Sequence, residues 1–264
     1  MQQEDPLALA AETGRRVLEA GGETYRAEAT VVALCRAWDL ADAECFATPT
    51  GLMASASRAA RPGEGADSAT SRAVVRRVSQ RVVDLRRIAR IAEEVAKAEH
   101  SRASPEDFRA ILDALVAEKP YRFAATLAAA GACAAFFTLL FGGVLRDAAA
   151  AFLVGAGVKA AAAAVAGRRF PDFIVNLVGG IAAAAMASIS VSAGLAVNLD
   201  KTVIGSIMLL VPGLATVNAI RDTIAGDLVA GVSRLADAFM AAAAISLGAG
   251  FALATVAFLG GMHP

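Results

Sequence analysis

The sequence is poor in the residues that build metal centres and disulfide frameworks. Two histidines, His100 and His263, stand far apart, and no zinc site follows from them. Three cysteines, Cys35, Cys45 and Cys133, lack metal-type spacing and read as reduced packing residues. There is no nucleophile elbow, no serine–histidine pairing by spacing and no phosphate-cradling glycine loop. Neither an enzyme, a metal nor a cofactor is expected. The start, Met1-Gln-Gln-Glu-Asp-Pro6, is polar and acidic and is not a signal peptide, which leaves membrane insertion to internal segments. The sharpest scarcity is regional. Residues 120–264 hold 14 of the 50 charged side chains and no glutamate.

That shift predicts an α+β domain over residues 1–119, then an all-α transmembrane domain over 120–264. About 119 residues suffice to bury a separate core. Helices are expected from Pro6 to Ala20, stopped by Gly21-Gly22, and from Thr24 to Trp38. Glu44–Thr48 and Leu52–Ser57 read as a hairpin around the turn residues Pro49-Thr50-Gly51. Arg58–Ser68 reads as a loop and Ser71–Ser79 as a third strand. A helix over Asp84–Ala98 follows, then one started by Ser104-Pro105-Glu106-Asp107. The arginine run Arg72, Arg76, Arg77, Arg81, Arg86, Arg87 and Arg90 reads as a solvated face balanced by acids of the same domain, not as a nucleic-acid surface.

Five apolar runs, uncharged except for Lys159 in the second, then mark membrane spans: 123–145, 148–167, 173–199, 202–220 and 238–262. Each approaches the roughly 20 residues that cross a bilayer core. Asp222–Arg234 reads as a longer polar loop. Lys119, Arg122, Arg168, Arg169, Arg221 and Arg234 outnumber Arg146 and Lys201 on the other side. The soluble domain is therefore expected in the cytoplasm and the C-terminus outside. Alanine and glycine fill the spans, which suits close helix packing.

The fourth span carries Pro212-Gly213 and then Asn218, Arg221, Asp222 and Asp227. Proline removes a backbone donor and clashes with the carbonyl of Met208. Broken membrane helices beside charged groups are a common transporter device. Asn218 shares a helix face with Arg221 or Asp222. Amides freed after Pro212-Gly213 and the Arg221 guanidinium suit a carboxylate, while Asp222 or Asp227 suits a coupling proton or a substrate amine. The bland alternative is a proline kink with its charges in a loop. Lys159 either snorkels to the interface or faces a cavity, and Asn176 is a further candidate.

Leu209-Leu-Val-Pro-Gly-Leu-Ala-x-x-Asn-Ala-Ile-Arg-Asp-x-x-Ala-Gly-Asp227 resembles the signature of the threonine/serine exporter family. Gly21-Gly-Glu-Thr-Tyr-Arg26 and Phe46-Ala-Thr-Pro-Thr-Gly51 resemble it as well. Glu23, Thr24, Tyr25, Arg26, Thr48, Pro49, Thr50 and Gly51 thereby become candidate residues of the soluble domain. The bland alternative for both is a turn. The resemblance implies a bacterial inner-membrane secondary exporter of small polar metabolites. Its cargo would be threonine and serine or, for split YjjP-like members, succinate-like dicarboxylates. Proton coupling is the expected drive. Because the chain stops after the fifth expected span, a smaller YjjB-like membrane subunit, a homo-oligomer or both are expected as partners, with lipid around them. The rivals are a membrane-anchored cytoplasmic regulator or enzyme, and an uncoupled channel.

Overall fold

The structure, a computed structural model, describes residues 5–58, 71–79, 81–101, 103–118, 121–168 and 170–259. The expected loop at Arg58–Ser68, beyond Arg58 itself, lies outside them, as do Lys119, Arg169 and the end of the last expected span at Met262. The chain forms two compact units: Met1–Lys119 with Asn218–Arg234, and Pro120–Val217 with Leu235–Pro264. Residues 218–234, which composition assigns to the membrane half, thus pack within the first unit.

In the first unit, α1 (Pro6–Glu19) starts on Asp5, whose carboxylate accepts the Leu7 amide at 3.2 Å. Its end is a Schellman turn. The Gly22 amide donates to Val17 O at 2.9 Å, the Gly21 amide donates to Leu18 O at 3.0 Å, and Gly21 sits at φ +84°. A Cβ on Gly22 would lie 2.6 Å from Val17 Cγ1, so the turn needs glycine twice for different reasons. After α2 (Thr24–Ala37) come β1 (Leu40–Thr48), β2 (Gly51–Arg58) and β3 (Ser71–Arg77). They form an antiparallel sheet in the order β1-β2-β3.

β1 is four residues longer at its start than its alternation suggested. Asp42, at φ 49°, sits in a register shift between Ala41 and Glu44, and such a bulge hides the period-two pattern. β3 ends at Arg77, two residues early, although the Val78 amide still donates to Thr50 O at 2.9 Å.

α3 (Leu85–Ser101) is capped by Asp84 through the Arg87 amide. α4 (Pro105–Ala117) is capped by Ser104 through the Asp107 amide. The core joins Leu9, Leu18, Val31, Leu34 and Leu52 to Ile91, Phe108 and Leu112. Trp38 stands edge-on to Phe108 and donates to Ala103 O at 3.0 Å.

Most arginines of the expected run find acids inside this unit. Arg72 meets Asp5, Arg76 meets Glu12, Arg87 meets Asp84, and Arg86 and Arg90 meet Glu118. Cys35 and Cys45 are reduced, and burial pushes their thiols up to about 11 and about 12.

The second unit holds α5 (Phe123–Leu140), α6 (Leu145–Ala166), α7 (Asp172–Ser192) and α8 (Leu199–Ile207). It also takes the first residues of α9 (Gly213–Ile224) and most of α10 (Leu228–Leu259). Among the described residues four helices, α5, α6, α7 and α10, are long and apolar enough to cross a membrane. The fourth span, expected to be broken at Pro212-Gly213, is two short helices, α8 and α9, parted at Pro212, and neither is long enough to cross alone.

The expected polar loop over Asp222–Arg234 is also absent. α9 runs to Ile224, Gly226 turns the chain at φ +92°, and α10 is already under way at Leu228. Small residues set the helix spacing. Gly155 packs on Ala130 and Ala134, Gly205 on Thr138, and Gly248 on the Leu177 backbone.

Candidate functional site

Pro212 fixes the break. The Gly213 amide closes a three-residue turn onto Val211 O at 2.8 Å, and Pro212 O accepts both the amide and the hydroxyl of Thr216. α9 therefore starts at Gly213, and its first-turn amides at Leu214 and Ala215 lack a carbonyl of their own helix. The segment between α8 and α9 is anchored by packing. Ile207, Leu209 and Leu210 lie on Val154, Val158 and Ala183, with Leu210 filling the space that Gly179 leaves.

Further along α9, the helical spacing of Asn218, Arg221 and Asp222 brings three polar side chains into the first unit. Each finds a partner in the turn between α1 and α2. The Schellman turn leaves two carbonyls directed outward. Asn218 Nδ2 donates to Gly21 O at 3.2 Å, and the Arg234 guanidinium donates to Gly22 O at 2.7 Å. Arg221 donates to Glu23 Oε1 at 2.6 Å, while Glu23 Oε2 takes Arg26 Nε at 3.0 Å. Thr24 Oγ1 donates to Asp222 Oδ1 at 3.2 Å, and Arg234 Nε lies 2.8 Å from Asp222 Oδ2.

Asp222 is 0% exposed and Arg234 6%, so this ion pair is fully enclosed. Arg234 Nε and Asp222 Oδ2 form no aligned hydrogen bond with each other, so their attraction is Coulombic contact at short range. Two sequence motifs nearly 200 residues apart thus form one polar cluster.

The electrostatics are uneven. Burial pushes the Asp222 carboxyl up, against the pull of Arg234 and Thr24, and Asp227 adds to the rise. Burial also acts on Glu23, but its own backbone amide, Arg26 and Arg221 outweigh it and hold the carboxyl below its ordinary value. Glu28, which accepts the Ala47 amide at 2.8 Å, is pushed up by burial and by the charges of Asp227 and Asp222.

The other candidates fall elsewhere. Asp227 caps α10, its carboxylate accepting the Ala230 amide at 3.1 Å. Thr48, Pro49, Thr50 and Gly51 build the β1–β2 turn, where Thr48 Oγ1 donates to Gly51 O at 3.1 Å. Tyr25 is exposed and meets the cluster only at its edge, beside Arg26. Lys159 is exposed on α6, and Asn176 is half-buried on α7. Neither has a hydrogen bond or ion pair among the described residues. No group of metal-binding side chains occurs among them either.

The family model of the threonine/serine exporters, ThrE, matches residues 8–256. The chain belongs to the threonine/serine exporter family. No curated protein and no solved structure matches it. In this exporter-family chain the match runs through both units and all four apolar helices. It is accordingly a multi-pass membrane protein of a transporter family.

Sequence reading missed two residues. Arg234 was counted as a loop charge. Its signal was the spacing of one acid and one base across a short helical hairpin, visible only once the loop is known to be three residues. Asp147, 0% exposed, accepts the amides of Val144, Val197 and Asn198 and the Asn198 side chain at 2.6–3.0 Å. It ties the start of α6 to the segment after α7, which is structural work.

Proposed function

We propose that this chain exports a small zwitterionic amino acid, threonine or serine, and that the cluster around Asp222 is its inner gate. The observation carrying the reading is the pairing pattern of the cluster. Arg221 holds a carboxylate, Glu23, and Asp222 holds a cation, Arg234. An amino acid brings one carboxylate and one ammonium of its own. It can exchange with both internal partners, its carboxylate taking Arg221 and its ammonium taking Asp222.

Thr24, already donating to Asp222, supplies a hydroxyl beside the cargo's own. Arg221 is half open to solvent, so the carboxylate exchange comes first. Asp222, with its raised carboxyl, is the group that takes up the coupling proton.

Both α9 and α10 continue from the cluster into the second unit. Loosening the cluster frees these helices to move about Pro212, which is the hinge of alternating access. In this reading α8 and the residues of α9 before Asn218 make a fifth passage, the first unit lies in the cytoplasm, and a smaller all-membrane subunit completes the pathway. The setting is a bacterial inner membrane. Succinate-like dicarboxylates are the second cargo class, since Arg221 with the open amides of α9 suits a carboxylate alone.

The test is efflux from preloaded cells expressing the chain with and without the small subunit. Labelled threonine, serine and succinate are compared, with and without a protonophore. Gradient-dependent efflux of threonine or serine supports the reading. Efflux of succinate alone reassigns the cargo. No efflux of any cargo in any combination removes the exporter role and leaves the anchored-regulator alternative.

A further inference from the structure

Among the described residues, one face of the sheet is left open. Its direct cross-strand neighbours are Glu44, Ser55 and Ala73 in one row, Phe46, Met53 and Val75 in the next, and Thr48, Gly51 and Arg77 in the third. The opposite face, with Ala47, Leu52 and Ala54, is core. Phe46, Met53 and Val75 are 50%, 52% and 68% exposed. A contiguous apolar row of this kind costs solvation in a free domain and marks an interface. A shallow depression of about 360 Å³ beside the row, reaching Thr48 and Arg77, shows that the face is not flat.

The charges say what covers it. In this unit most arginines are paired with acids, yet Glu44 and Arg77 are exposed and have no ion-pair partner among the described residues. They carry opposite signs and occupy diagonally opposite corners of the face, with Met53 between them. A two-fold axis lying in the face, through Met53 and across the Glu44–Arg77 line, sets each charge over its opposite. The same operation sets Met53 over its own copy, where the two apolar rows cross. From strand rise and spacing, the strands of the two sheets then cross at roughly 70°, within the range of orthogonal sheet packing.

We propose that this face docks against the same face of a second copy of the chain, with Glu44 of each copy paired to Arg77 of the other. The patch is small for a stable dimer in solution. Copies held in one membrane have a high effective concentration, so a small, self-complementary patch suffices. The inference concerns assembly and stands whichever cargo the protein moves.

The experiment is oxidative cross-linking of the full chain in native membranes. Glu44 and Arg77 of one chain lie roughly 17 Å apart, beyond the reach of a disulfide. An E44C/R77C chain can therefore form a 44–77 disulfide only between copies. It is expected to give several-fold more covalent dimer than wild type, E44C or R77C. In a second readout, chemical cross-linking, E44R and R77E each lower the dimer fraction several-fold, and E44R/R77E restores it. Equal cross-linking in all cysteine variants, a product of another mass, or single charge variants that dimerise like wild type would overturn the proposal.

Discussion

At Asp222 and Arg234 a buried acid and a buried base face each other without solvent. Removing one partner strands the other, which costs about 3–5 kcal/mol, while replacing both with neutral groups costs far less. Arg234→Met should therefore lower the melting temperature of the detergent-purified protein sharply, and Asp222→Asn with Arg234→Met should recover most of it. Because the Asp222 carboxyl is raised in the fold, its contribution is fully present below the unfolded value of 3.8. It is lost as pH rises through the higher folded value.

Glu12 works in the opposite sense. Burial is outweighed there by Arg15, Arg16 and Arg76, so its carboxyl lies below 4.5. Its stabilisation is complete above 4.5 and disappears as pH falls through the lower folded value. Glu12→Gln should flatten the acid limb of a melting profile measured from neutral pH to pH 4, about half a unit below that ordinary value. An unchanged limb would show that Glu12 is not the group responsible.

Among the elements, the turn after α1 matters most, because its geometry aims two carbonyls at Asn218 and Arg234. Gly21→Ala forces a side chain into φ +84° at a cost of about 1–2 kcal/mol and should loosen the cluster without touching a charge. Accelerated hydrogen exchange in residues 218–224 is the expected readout. Similarly, Asp147→Ala leaves several amides unsatisfied and should destabilise the tie between the start of α6 and the α7–α8 segment by about 2–4 kcal/mol, read in thermal melts.

These elements also show what a sequence can and cannot carry. The start of α4 was legible because Ser104-Pro105 is local cap chemistry, and the Pro212 break because proline acts on its own backbone. The bulge in β1 and the length of the α9–α10 turn were not legible. Both depend on partners distant in the chain: β2 for the register, and Gly22 and Asp222 for Arg234. The two family motifs were visible separately. Their meeting was not, since nothing local in Gly21–Thr24 names Asn218 or Arg221 as its partner.

For the whole molecule, the division into two units places the polar cluster in one and the Pro212 break in the other, with α9 continuous between them. In the proposed gate, that continuity carries chemistry at Glu23 and Asp222 to the break. A membrane tether would need no such arrangement. Substitutions in the cluster should therefore stop export while leaving insertion intact, and Pro212→Ala, which restores the missing backbone donor, should slow turnover more than it weakens cargo binding. The decisive measurement is the initial rate of labelled threonine and serine efflux from preloaded cells. Wild type, Asn218→Ala and Arg221→Ala would be compared at matched membrane abundance, with the proposed small subunit present. Export by wild type that collapses to the empty-vector rate in both variants is the predicted result. Export at the wild-type rate in both variants would contradict the gate.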